Sequence, residues 1–272
     1  MSHLVSKFHS IEDMLAEENY LRRHNVPIST EEIESMIRYS FSTINFKFAD
    51  ETSYDLNGSQ LQFIRMSAGQ KDLVRTRLRI RVPNVPPQVL FYCVKDPTTR
   101  LSFDKTYRRF ELSRKVDDFL DILISEVSAP LGISNREFVE WRRIRLPDIG
   151  ERRERLIYAV QLRSCSESQC SNEIGPSSHN VQRAETWISG YIFKWWFDEN
   201  MGILGSEVLV LSQVDPCGRL PRGLVQSSTF LDPRKWVNRL VDCAAKCCAT
   251  RGICMSKTDR DIEAVLSLRD PN

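Results

Sequence analysis

No stretch of this 272-residue chain reaches the roughly 18 consecutive apolar residues of a membrane helix, and its opening, Met1 to Ser10, lacks the apolar core of a signal peptide. These absences set the expectation of a cytoplasmic protein. Neither sign of charge prevails: 38 Lys and Arg stand against 36 Asp and Glu, a net +2 that offers no footprint for nucleic acid. The basic stretch Arg142, Arg143, Arg145, Arg152, Arg153 and Arg155 is interleaved with Asp148, Glu151 and Glu154 and reads as a solvated turn. Histidine is scarce, with His3, His9, His24 and His179 all in terminal or loop segments. Neither a Gly-x-Ser-x-Gly turn nor a His-Glu-x-x-His helix occurs, and the 11 glycines form no phosphate-binding cluster. We therefore expect no catalytic residue, no metal and no cofactor beyond a bound ligand.

The 8 cysteines show no metal-ligand spacing. Cys93 and Cys217 stand alone, Cys165 and Cys170 flank a polar loop, and Cys243, Cys247 and Cys248 sit at helical spacing among alanines, with Cys254 shortly after. Reduced, packing thiols are the expectation. Asn57-Gly58-Ser59 reads as a hairpin turn rather than a glycosylation acceptor.

Two helices open the chain. Ser10 can cap Ile11 to Arg23, and Ser29-Thr-Glu-Glu32 has capping-box spacing before Ile33, Met36 and Ile37. Strand periodicity follows, clearest in Val74 to Val82, where Arg75, Arg77, Arg79 and Arg81 alternate with apolar residues and Thr76, so the arginines are expected on a solvated face. A helix and a turn near 88–104 lead to strands near 107–113, 120–128, 137–145 and 155–164, then a polar loop over 166–180. In Trp187 to Phe197 one parity collects Trp187, Tyr191, Phe193, Trp195 and Phe197 around Ser189, an aromatic face for a core or a pocket. A strand over 206–214 precedes Asp232-Pro233, a helix start, after which Trp236, Val237, Leu240, Val241, Ala244, Ala245 and Cys248 recur at spacings of three and four until Gly252. The pattern predicts an α+β fold, one curved antiparallel sheet wrapped around a long C-terminal helix, without internal repeats.

Two charges stand out because their strand neighbours are apolar. Glu126 shares a face with Ile122 and Ile124, and Arg142 shares one with Phe138 and Ile144. Strands whose charges reach solvent account for this, and so does a cavity lined for a ligand; an unpaired charge in a closed core does not.

The order Ile133-Ser-Asn-Arg-Glu-Phe-Val139, Gln182-Arg-Ala184, Ser189-Gly190, Val214-Asp-Pro-Cys-Gly-Arg-Leu-Pro221 and the final helix resembles a START lipid-transfer domain from about residue 44 to about residue 250. The resemblance implies a helix-grip fold enclosing one lipid in a tunnel. It divides the chain into an N-terminal helical segment (1–43), the START-like domain (44–252) and a polar tail (253–272). By position it makes Glu126 and Arg142 a charged pair beside the ligand's polar group. Arg100, in Arg100-Leu-Ser-Phe-Asp104, falls where a phosphatidylcholine-binding member offers an arginine to phosphate, although Asp104 is an alternative partner for it. That member cages choline with aromatic rings, and the matching positions here are Ser125 and Phe138, a departure that weakens the case for choline. Phe138, Tyr158, Tyr191, Phe193, Trp236 and Leu240 are expected to line the tunnel. The implied function is carriage of one lipid, phospholipid or sterol, between membranes by a monomer that touches the bilayer transiently; the alternative is a lipid sensor that signals to a protein partner through the N-terminal helices.

Overall fold

Alternation of apolar and polar residues between 50 and 215 is realised as ten strands of one sheet. The computed structural model describes residues 26–41, 50–56, 59–67, 74–129, 132–147, 152–166, 169–170, 181–218 and 233–267. The helix expected over 11–23, the Asn57-Gly58 turn, most of the 166–180 loop and the Asp232 cap lie outside them.

The first described helix is α1 (Thr30–Phe41), and the strands β1 (Asp50–Leu56), β2 (Ser59–Ser67) and β3 (Val74–Pro83) follow. Two short helices, α2 (Pro87–Lys95) and α3 (Pro97–Phe103), lead into β4 (Tyr107–Lys115), β5 (Leu120–Val127), β6 (Asn135–Arg145) and β7 (Ile157–Ser164). Then come β8 (Val181–Arg183), β9 (Glu185–Asp198), β10 (Ile203–Asp215), α4 (Pro233–Arg251) and α5 (Asp259–Ser267). The spatial order is β1-β2-β3-β10-β9-β7-β6-β5-β4, antiparallel throughout, with the short β8 added parallel to β6. The sheet curves without closing into a barrel, and β1 and β4 form its edges.

On the inner face α2, α3, α4 and α5 share one core with the sheet. The expected stripe of α4 is present but narrower: Trp236, Val237, Leu240 and Ala244 are buried, while Ala245 faces solvent. Gly252, at φ +61°, ends the helix, with the Ile253 amide donating to the Cys248 carbonyl at 2.8 Å. This is the glycine C-terminus that the sequence announces. Residues 253–267, expected as a polar tail, pack into the same core: Ile253 and Ile262 are buried, Tyr158 donates to Glu263, and Gln88 donates to Asp259 at 2.6 Å. Three apolar residues per two turns of α5 suffice to hold a helix whose other faces are charged.

The outer face corrects a second expectation. Helix α1, capped by the Ser29 hydroxyl accepting from the Glu32 amide at 3.2 Å, lays Ile33, Met36 and Ile37 on Ile64, Ala159, Ile192 and Leu209. Gly190 makes this possible: a Cβ there would stand 2.1 Å from the Met36 sulfur. Arg163 is fully buried and donates to Glu32 at 2.8 Å and to the Val26 carbonyl at 2.5 Å. The β3 arginines are therefore not a solvated row. Arg75 is buried between Tyr39 (2.8 Å) and Gln213 (3.0 Å), and Arg77 is buried under the end of α1. Arg79 and Arg81 converge on Glu207 at 2.7 and 3.2 Å, with Lys194 at 3.0 Å. Burial alone would raise the Glu207 carboxyl, but the hydrogen bond from Arg79 and the Lys194 charge outweigh it and hold its pKa below the ordinary value.

The structure joins Cys165 and Cys170 in a disulfide, against the expectation of reduced thiols throughout. A five-residue separation across a turn brings the two sulfurs together, a pairing that spacing alone does not distinguish from two free thiols. Cys93, Cys217, Cys243, Cys247, Cys248 and Cys254 are thiols.

Candidate functional site: a buried arginine in an internal cavity

Between the inner face of the sheet and helices α3 and α4 lies a cavity of about 260 Å³. Its walls come from β2 to β7, β9 and β10, and Trp236 and Pro233 of α4 close one side. The lining is mixed, with Phe63, Leu78, Phe138, Leu162 and Val210 against Ser125, Thr186, Ser189 and Ser212.

Arg100 dominates its electrostatics. Asp96 caps α3 by accepting from the Thr99 amide at 2.8 Å, and Pro97 fits the first turn. One turn later Arg100 points inward, 3% exposed. Its Nη2 donates to Tyr191 Oη at 3.2 Å and pairs with Asp104 at 2.9 Å. The rings of Phe103, Tyr107, Phe110, Tyr191 and Trp236 surround the guanidinium, with centroids 5.3 to 6.0 Å from Cζ. Its Nε and Nη1 are buried and make no hydrogen bond within the protein. Burial opposes the charge most strongly, yet Tyr191, Asp104 and Tyr107 together outweigh it, so the guanidinium is held protonated above its ordinary pKa. Asp104 in turn accepts from Trp236 Nε1 at 2.8 Å and from the Thr106 hydroxyl at 2.6 Å. A single carboxylate thus ties the buried arginine to the closing helix.

Across the cavity stands Glu140, on the inner face of β6 and 6% exposed. Burial pushes its carboxyl up to about 7, against smaller downward pulls from a Thr186 hydrogen bond and the Arg100 charge. Thr186 reaches the cavity because the register slips between β9 and β10 at Gln213/Val214. The extra residue, Trp187, turns outward into the α1 cluster, and the parity of β9 reverses there.

The START domain family model matches residues 70–248, well over half of the chain. The chain belongs to the START domain family. No curated protein matches it by sequence. Among solved structures, human STARD10 superposes with a TM-score of 0.67 at 15% identity, covering 89% of this chain and 90% of its own. Human StAR-related lipid transfer protein 5 gives 0.62 at 17%, covering 79% and 93%. The human StarD13 (DLC2) lipid transfer and protein localization domain gives 0.54 at 13%, covering 80% and 98%. At these identities the structural likeness establishes the helix-grip fold. START domains generally bind or transfer lipids, and the cavity lies in the grip.

Within this START fold the expected site residues separate. Arg100, Phe138, Tyr191 and Trp236 line the cavity. Glu126 does not: it lies on the outer face of β5 with Ile122 and Ile124, whose neighbours are Ile28 and Trp141, and accepts from Asn135 at 2.7 Å. The inner parity of β5 is Leu123, Ser125 and Val127. Arg142 is inward-facing, but its partner is Asp121, directly opposite on β5, which accepts at 2.8 and 2.6 Å, while the Lys95 carbonyl accepts at 2.6 Å. It fastens the end of α2 to the sheet, away from the cavity wall. The Glu126–Arg142 pair is therefore corrected, because residues of opposite parity on neighbouring strands face opposite sides of a sheet. Tyr158, Phe193 and Leu240 are core rather than lining. Phe91 of α2 packs on Tyr158 and Phe193 at centroid distances of 5.3 and 5.9 Å and fills that end of the grip. Of the aromatic parity in β9, Trp187 faces outward and Phe197 is exposed.

Sequence reasoning passed over Glu140, Asp104's link to Trp236, and Tyr107. Glu140 carried a signal, since it shares the parity of Phe138 and Arg142. Among the described residues one further grouping has metal-ligand geometry: Glu185, Asp215 and Cys217 place ligand atoms within 4.8 Å of one another at the β9–β10 end. No helix among them is long and apolar enough to cross a membrane.

Proposed function

We propose that this START domain holds one phospholipid by its phosphate at Arg100 and carries it between membranes. The observation that supports this reading is the two unsatisfied Arg100 nitrogens, Nε and Nη1, inside the cavity. A buried donor without a partner costs about 1–3 kcal/mol, more when charged, and phosphate oxygens supply charged acceptors for such donors. A sterol hydroxyl brings one uncharged acceptor oxygen, where a phosphate brings several charged ones.

The physical task is the barrier. Moving a two-chain lipid with roughly thirty methylenes through water costs on the order of 20 kcal/mol at about 0.8 kcal/mol each. An apolar enclosure removes most of it. The cavity of about 260 Å³ is smaller than the roughly 300–1,000 Å³ typical of small-ligand sites. It suits a headgroup, and acyl chains require α4 to swing away from α3 and the sheet. Such closure motions of packed elements run on the μs–ms scale. Contact with a bilayer would favour the open form through apolar surfaces otherwise turned inward.

The experiment is lipid capture. Purified protein is incubated with vesicles of mixed composition and analysed by native mass spectrometry, and transfer between donor and acceptor vesicles is followed in parallel. The expected result is one phospholipid per protein, lost in Arg100→Met, with transfer faster than the spontaneous rate. Bound lipid without many exchanges per protein would support the sensor reading, and sterol capture insensitive to Arg100→Met would overturn the phosphate role.

A further inference from the structure

Two buried charged groups on the cavity wall keep binding capacity that the protein does not use. Arg100, paired with Asp104 through Nη2, keeps Nε and Nη1 without protein acceptors. Glu140, among the described residues, has no cation within ion-pair distance, although it is buried. The remaining charges are engaged: Asp104 takes Arg100, Trp236 and Thr106, and Arg136 is spent on the carbonyls of Ser134, Pro216 and Cys217. One cavity therefore presents spare N–H donors on a buried guanidinium and a buried carboxylate without a cation. That is the charge pattern of a zwitterion.

The kind of cation follows from what surrounds Glu140. A quaternary ammonium has no N–H and is held by ring faces. The cavity's rings already crowd Arg100, and beside Phe138 the strand partner is Ser125, not an aromatic. Hydroxyls stand near the carboxylate instead, Thr186 hydrogen-bonding it and Ser125 on the same inner face. A primary ammonium brings three N–H donors, which a carboxylate and two hydroxyls can accept together. Its positive charge also compensates the burial that now drives the carboxyl toward its neutral form.

We propose that Glu140 is a headgroup-selecting residue that receives the primary ammonium of an ethanolamine-type phospholipid, so that this site prefers amine over choline headgroups. The inference rests on the phospholipid reading above, and its test keeps the two apart. Wild type, Glu140→Gln and Arg100→Met are each incubated with vesicles containing equal amounts of phosphatidylethanolamine, phosphatidylcholine, phosphatidylglycerol and cholesterol of matched chain length. Bound species are counted by native mass spectrometry, and circular dichroism with thermal melting checks that each variant is folded. Glutamine keeps the shape and the Thr186 hydrogen bond but not the charge. Wild type is expected to carry the ethanolamine lipid over the choline lipid, and Glu140→Gln to reduce that ratio by about tenfold or more, the scale of a lost charge-assisted hydrogen bond, while phosphatidylglycerol binding persists. Arg100→Met is expected to lose all three phospholipids. Phospholipid binding with equal headgroup ratios in wild type, or a ratio unchanged in folded Glu140→Gln, overturns the Glu140 role and leaves the phosphate site standing. Cholesterol alone, or no lipid in any form, overturns both.

Discussion

Replacing Trp236 with Phe removes one hydrogen-bond donor from the inner side of α4 and keeps an aromatic ring. The indole N–H donates to Asp104 at 2.8 Å, and that carboxylate is already charged and paired with Arg100 at 2.9 Å. A hydrogen bond to a charged partner contributes about 1.5–3 kcal/mol net. Its loss acts on the contact that joins α4 to the end of α3, because Asp104 is the C-terminal cap of that helix. The closed position of α4 should therefore be weakened by that amount relative to the open one, which multiplies the open population by about 10–150-fold. Hydrogen exchange followed by mass spectrometry reads this directly. Amides over 233–251 should exchange faster by that factor in Trp236→Phe, while peptides from β7 and β9 stay at wild-type rates. Vesicle-to-vesicle transfer at limiting protein should rise if α4 opening limits it. Uniform acceleration across all peptides would mean global destabilisation, and unchanged exchange in α4 would refute the idea that Asp104 latches the helix.

The outer face allows a clean energetic test. Arg163→Met takes from the buried Glu32 carboxylate the guanidinium that pairs with it at 2.8 Å and should cost about 3–5 kcal/mol in urea denaturation, while the double replacement Glu32→Met with Arg163→Met should recover most of it. Gly190→Ala should cost about 1–3 kcal/mol, because its methyl meets the buried Met36 sulfur, and Met36→Ala in the same background should cost less than the two single changes summed. Glu140 fixes a sign of pH dependence. Its folded pKa of about 7 lies above the ordinary 4.5, so the folded state binds the proton more tightly, and the contribution of this one group to stability is greatest below pH 4.5 and falls as pH rises through 7. Glu140→Gln should remove that fall, worth about 3 kcal/mol, when ligand-free protein is denatured in urea at pH 5 and pH 8.

Much of the inner architecture could be read from periodicity. The strands of β4 to β7 begin and end within a few residues of the alternation that predicts them, and α4 ends at the glycine that marks it, because these signals are local. Facing is less local. Parity says that Glu126 and Ile124 share a side but not which side is inside; that is decided by Ile28 and Trp141 closing over the outer face. The same ambiguity hid Glu140 while Arg142 drew notice, although Asp121 saturates the arginine through a cross-strand register that no single strand reveals. The slip at Trp187 reverses the parity at the start of β9, an event without a signature in a run of alternating residues. The arginines of β3 looked solvated because α1, the element that covers them, lies more than thirty residues earlier in the chain.

The edge strand β4 has a bearing on how copies of this protein meet. An open sheet offers unpaired amides and carbonyls along its border, where another chain's strand can add itself. Here that border carries Arg108, Arg109, Glu111, Arg114 and Lys115, all exposed, and its pairing with β5 slips between Tyr107 and Arg109 and again between Leu112 and Arg114. A strand charged along its length and bent twice gives an incoming chain no straight ladder to extend. Edge-to-edge aggregation is thereby disfavoured in a protein whose sheet must stay open for its cavity to exist.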